Sequence, residues 1–263
     1  MNPEELIYLY AIVDAPVAVS AVRMLKVQEL YVAVANVSWS EFNETALQAN
    51  FRNLSWLEER ARQHEAVIEA IMQHATVVPC RFPTLFYSES AAQVFVSQHY
   101  EQFVRLIEKF KGKEEWGVKV YSQSNALCKA VVEMPELKAM DADIAQASAG
   151  KAFLLRKQRE KRLGELLHQY QGAVLEELFQ SLRQWAVETK QNPVLPKDMT
   201  GQGDEMILNA ALLVACTNTK AFLADVEAIG HKLSQKGLRL EISGPWAAYN
   251  FCTMPTAHLS TEK

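Results

Sequence analysis

Much that would make this 263-residue chain an obvious enzyme or membrane protein is missing. H-E-x-x-H, G-x-S-x-G, G-x-x-x-x-G-K-[ST] and G-x-G-x-x-G are all absent, so no familiar metal, nucleophile or phosphate-binding signature is present. "TGQGDE" holds a Gly-x-Gly, but it precedes a strand pattern, so no helix N-terminus follows to hold phosphate. No apolar run approaches the roughly 20 residues of a membrane span. The start, "MNPEELIYLYAIVD", carries acids where a secretion signal has basic residues. Excess positive charge is lacking too: the net charge is -4 and the pI about 5.9, which gives no general attraction to nucleic acid or anionic lipid. Cysteine is sparse. Cys80, Cys128, Cys216 and Cys252 are far apart, without C-x-x-C or disulfide-framework spacing, which predicts free, partly buried thiols and a cytoplasmic setting.

The residues that could carry chemistry are scattered. Glu165 and His168 form one E-x-x-H on a helix face, but a carboxylate-bridged metal pair needs a second such motif, and none exists. The pairs Glu58-Glu59, Glu114-Glu115 and Glu176-Glu177 are adjacent, so on a helix their carboxylates diverge by about 100°. Cys80 stands beside Arg81, which could acidify a thiol, yet no histidine is close in sequence and a packed cysteine is the better reading. The basic stretch "KAFLLRKQREKR" spreads its cations around a helix and has few aromatics. It reads as a solvated helix or a contact for an acidic protein surface, not as an RNA platform.

What is present is a full set of α+β elements. Half of the residues are hydrophobic (49%), enough for a sizeable core. "LIYLYAIV" (6–13) and "LYVAVANV" (30–37) are continuous β-branched and aromatic runs, as in strands covered on both faces. From Glu41, Phe51, Leu54, Leu57, Ala61, Ile68 and Ile71 recur at helical steps. In "TVVPCRFPTLFY" (76–87), Pro79 and Pro83 remove ladder donors, predicting an edge strand or two extended pieces with a bend. A helix capped by Ser88 or Ser90 follows, carrying Ala92, Val96, Tyr100, Phe103, Ile107 and Phe110 on one face.

"KGKEE" (111–115) marks the expected domain boundary, giving domains 1–112 and 113–263. Beyond it, "WGVKVYS" reads as a strand, 123–131 as a short helix and Pro135 as a break. A long helix runs from about Gly150 to Gln184 with Leu163, Leu166, Leu167, Tyr170, Val174, Leu178 and Leu182 on one stripe. "AVETKQN" and "MILNAALLVAC" are strands, Phe222 to Leu233 a helix face, and "LRLEIS" the last strand. The order of this half is βαββαβ with an extra helix, that of a modified ferredoxin-like fold. At "GPWAAYNF", Gly244 permits a tight departure and Pro245 is expected to stop the ladder. Trp246, Tyr249 and Phe251 then fold back over a core edge or face a partner.

Taken together, "YLYAIV", "VVPCRFPTLF" with Arg81-Phe82, "GKAFLLRKQ", "MILNAALLV" and "GPWAAYNF" resemble the gas vesicle protein GvpF/GvpL family, nearly end to end. Gly244, Pro245, Trp246, Tyr249 and Phe251 stand where that family has Gly-Pro-Trp-x-x-Tyr-x-Phe. Pro83, Phe153 and Ala247-Ala248 depart from its commoner residues. The resemblance implies two α+β domains, the second of modified ferredoxin type, and a non-enzymatic gas vesicle component or assembly factor. The implied partners are the shell protein GvpA and other gas vesicle accessory proteins; no cofactor, metal or catalytic residue comes with it. Arg81, Phe82 and the five residues of the closing motif are the candidate contact residues. A ferredoxin-like small-molecule or RNA-binding regulator, or an enzyme with a pocket lined by His99, Cys80 and Arg81, is the competing reading.

Overall fold

The first apolar run becomes the centre of a sheet. In the computed structural model, which describes residues 4–20, 22–201 and 203–255, β1 (Glu5–Val13) is followed by β2 (Arg23–Val27) and β3 (Leu30–Ser38). Three helices come next: α1 (Trp39–Phe42), α2 (Glu44–Asn50) and α3 (Leu54–Met72). The "TVVPCRFPTLFY" segment is two short strands, β4 (Val77–Pro79) and β5 (Leu85–Phe86), separated by the bend through Cys80–Thr84. The sheet order is β2-β3-β1-β4, with β5 also on β1, and every one of these pairings is antiparallel. Pro79 and Pro83 thus sit where the outer strand breaks, as their missing N–H groups require.

A bulge between Leu9 and Ala11 shifts the β1–β3 register. The extra residue changes which side chains face α3. Leu6 and Tyr8 point to the α1–α3 side before the bulge, and Ala11 and Val13 do so after it. Val67, Ile68 and Ile71 of α3 pack on Ala11, Val13 and Ala33. Then come α4 (Glu89–Gln98), whose N-cap Ser88 accepts from Ala91 N, and α5 (Tyr100–Phe110). Both pack on the strands, with Phe95 against Phe86 at 5.3 Å between ring centroids. The single helix expected here is broken at His99, whose backbone lies at φ -111°, ψ 18°. Apolar spacing continues across the break, so periodicity could not reveal it.

A second sheet starts with β6 (Lys113–Ser122). Its helices α6 (Ser124–Val132), α7 (Pro135–Gln146) and α8 (Ala149–Arg183) precede β7 (Ala186–Gln191), and α9 (Lys197–Thr200) leads to β8 (Glu205–Ala215). Pro135 opens α7 instead of merely interrupting the chain, because its fixed φ suits the first helical position. The remaining elements are α10 (Thr219–Gln235) and β9 (Leu238–Trp246). The order β7-β8-β6-β9 is compatible with the expected ferredoxin-like arrangement. One face carries Trp116, Val118, Leu212 and Val214 against Leu178 and Leu182 of α8 and Phe222 and Val226 of α10.

The chain divides into two compact units, one taking residues up to Glu115 plus the segment from Pro245 on, the other Trp116–Gly244. The first division falls between Glu115 and Trp116; the closing segment, expected with residues 113–263, packs in the first unit. A second difference lies in the same stretch. β9 does not stop before Gly244-Pro245 but continues through them to Trp246. As an edge strand, β9 can direct the imide nitrogen of Pro245 away from the ladder, and Gly244 supplies φ +133°, a conformation that side-chain-bearing residues rarely adopt.

Candidate functional site

The alternating tyrosines of β1, the buried face of α3 and the bend after β4 converge in the first unit around a half-open cavity of about 260 Å³. Aromatic rings share its wall with the polar side chains of Asn36, Ser38, Glu41, Arg60 and Gln63. Tyr8 lies 4.5 Å from Tyr10 and 6.3 Å from Phe82, and Tyr10 stacks on His64 at 5.4 Å. Arg60 and Glu41 form its charged side; their ion pair is 2.7 Å long, and Glu41 also accepts from the Trp56 indole at 2.7 Å.

His64 is the hub. Its Nδ1 is 2.9 Å from the Tyr8 hydroxyl, and Nε2 is 3.2 Å from the Cys80 carbonyl and 3.0 Å from the Tyr249 hydroxyl. The Cys80 carbonyl can only accept, so the network assigns the proton to Nε2 and has Nδ1 accept from Tyr8. Burial disfavours the imidazolium and lowers the His64 pKa to about 4. The phenols of Tyr8 and Tyr249 are pushed up, chiefly by burial, and Glu65, which accepts from Tyr249, is raised by burial as well. A neutral imidazole wholly engaged with protein groups is a strut. A general base would need a free nitrogen facing substrate.

Tyr249 brings the closing motif into this network, and its neighbours fasten the rest of the segment to the same unit. Buried Glu115 accepts from the Asn250 backbone N at 2.8 Å and from its Nδ2 at 2.6 Å. Lys109 Nζ donates to Phe251 O at 3.2 Å, and Gln102 Nε2 to Thr253 O at 2.8 Å. Phe251 is 5% exposed, whereas Trp246 and Tyr249 are half-buried. Tyr249, Asn250 and Phe251 thus hydrogen-bond within this unit.

The other candidate residues divide. Phe82 lines the cavity and touches Trp56 at 6.2 Å and Phe51 at 6.5 Å between centroids. Phe51 is 44% exposed and continues the ring cluster beyond Phe82 and Trp56. Arg81 is exposed, with its carbonyl accepting from Thr84 Oγ1. Cys80 and Cys252 are buried with thiols pushed up by desolvation, Cys252 to about 11, the reverse of an activated nucleophile. Glu165 of the E-x-x-H is taken up by Arg162 at 3.0 Å. Gln202 of the Gly-rich loop and His258 lie outside the described residues.

Sequence reasoning missed His64, Glu115 and Phe51. For His64 a signal existed: it precedes Ile68 and Ile71 by four and seven residues, on the apolar stripe of α3. For Glu115 there was none, since its partner Asn250 is 135 residues away.

Among the described residues no helix of this α+β chain is long and apolar enough to span a membrane. The family model of "gas vesicle synthesis protein GvpL/GvpF" matches residues 6–253, and the chain belongs to that family. It is similar to gas vesicle protein L of a Streptomyces species, at 29% identity over 87% of this chain and 82% of the relative. Gas vesicle protein F of a Nostoc species is 26% identical over 93% and 97%. The crystal structure of the gas vesicle protein GvpF from an Anabaena species shares the fold, with TM-score 0.68 at 20% identity over 97% of this chain and 98% of that one.

Proposed function

We propose that this protein assists gas vesicle formation in the cytoplasm without catalysis, by binding the shell protein GvpA and accessory proteins of the same system. The observation that carries this reading is the family match over residues 6–253. A shell subunit exposes apolar strands until the wall closes, and a partner that covers them prevents premature association. The first unit offers a surface of suitable character. Phe82 lines the cavity, Phe51 packs against it, and Leu54, 78% exposed, begins α3 three residues after Phe51. An inserted apolar side chain would gain contact with several rings at little ordering cost, since the ring cluster is already packed.

Co-purification of tagged protein with shell subunits tests this. Association is expected, and Phe51→Asp is expected to abolish it with the melting temperature unchanged, because the ring is part-exposed. Absence of association at every salt concentration overturns the proposal.

A further inference from the structure

The outer side of an end strand presents N–H and C=O groups that can pair with a further strand, and proteins usually guard it. Here α4 packs on β2, and Gln93 Nε2 donates to the Lys26 carbonyl at 3.3 Å. β4 and β5 are three and two residues long, and β9 runs out through Gly244-Pro245. β7, at the end of the second sheet, has no such guard. It holds neither proline nor glycine in six residues. Four of the six are exposed, Val187 by 62%. A bulge between Ala186 and Glu188 leaves 188–191 in regular register with β8.

Just past the strand, Asn192 N donates to Asn209 O at 2.8 Å. Backbone groups in an antiparallel ladder alternate between the two sides of a strand. Glu188 and Lys190 therefore turn theirs towards β8, and Thr189 and Gln191 turn theirs outward. We infer that β7 pairs antiparallel with β7 of a second copy of this chain, across a two-fold axis at Thr189. Thr189 then exchanges backbone bonds with its counterpart. Glu188 of each copy stands opposite Lys190 of the other, in the non-bonded pairs whose side chains approach closest. Charge fixes the register. Moving the axis one residue sets Glu188 against Glu188 or Lys190 against Lys190, and an axis between residues would match outward groups with inward ones. It also selects the partner. A lysine on an edge ordinarily repels an added strand, but Glu-Thr-Lys read in reverse is its own complement. A contact in which the same patch serves both copies closes as a dimer and builds no filament.

Sedimentation equilibrium of the full chain tests this. The mass is expected to rise with concentration from 29.7 kDa towards twice that value. Glu188→Lys and Lys190→Glu should each weaken the dimer about tenfold or more, since every facing pair becomes a like-charge pair. Mixing the two variants should restore association, because each lysine of one then meets a glutamate of the other. That recovery separates lost pairing from lost folding. The double exchange, Glu188→Lys with Lys190→Glu, should self-associate like the unaltered chain. Phe51→Asp should leave the dimer intact, so failure here and failure of shell binding are distinguishable. A monomer at every concentration, a dimer indifferent to both single reversals, or no recovery on mixing overturns the inference. Reversals that abolish co-purification with shell subunits while the unaltered chain stays monomeric would overturn it in favour of a shell strand on this edge.

Discussion

His64 concentrates the physical chemistry of the first unit in one side chain. It is buried, neutral and hydrogen-bonded by both nitrogens to groups far away in sequence, Tyr8, Cys80 and Tyr249. Its folded pKa of about 4 lies below the ordinary 6.5, so the unfolded chain takes up a proton that the folded chain refuses. Above pH 6.5 both states are neutral and the group has no pH effect. As pH falls from 6.5 towards 4, stability drops, by about 3 kcal/mol at most at 1.36 kcal/mol per pH unit. Glu65 acts in the opposite sense, because a carboxyl raised by burial favours the folded state as it protonates. Urea unfolding at several pH values should therefore show His64→Gln losing about 1–3 kcal/mol at neutral pH and losing less than the unaltered protein on acidification. Equal slopes would contradict the burial of a neutral imidazole.

At the scale of elements, side-chain period and proline placement made much of the fold legible. The run 6–13 is a strand buried on both faces, the run 30–37 is one buried on both faces only at 32–34, and the 35-residue α8 keeps the apolar stripe that its sequence announced. Pro79 and Pro83 located the break between β4 and β5. What stayed hidden has local causes. β2 is a five-residue strand with mixed exposure, too short for its period to stand out. α7 was concealed because proline both ends and begins helices. β9 ran on where a Gly-Pro was expected to stop it, since a strand on the rim of a sheet needs no donor on its outer side. Gly244 is the residue that makes this passage possible. Gly244→Ala, at φ +133°, should cost about 1–3 kcal/mol, read as a lower urea midpoint with unchanged slope. A neutral result would mean that the strand relaxes locally.

For the whole molecule, sequence order misleads where the chain returns. The closing aromatics belong to the first unit, and no period or spacing in 245–255 names Glu115, Lys109 or His64 as their partners; such pairings exist only once the fold brings them together. The family resemblance identified these residues but left their task open. The aromatic cavity was legible only as two alternating tyrosines and a Phe-Pro. Folding of fragments follows from this architecture. Residues 116–244 form a continuous unit and should give a cooperative thermal transition alone. Residues 1–115 lack the fastening of Asn250 and Phe251 and should fold poorly, as seen by circular dichroism, until a peptide of 245–255 is added. Equal stability with and without that peptide would show the segment to be dispensable.

Because the segment from Pro245 on completes the first unit, a ribosome must synthesise all of Trp116–Gly244 before Tyr249 can reach His64. Nascent or prematurely terminated chains would carry β1 through α5 without this final stitch. The His64 network would then be complete only after residues 245–255 have been made, so chains interrupted before them would lack it.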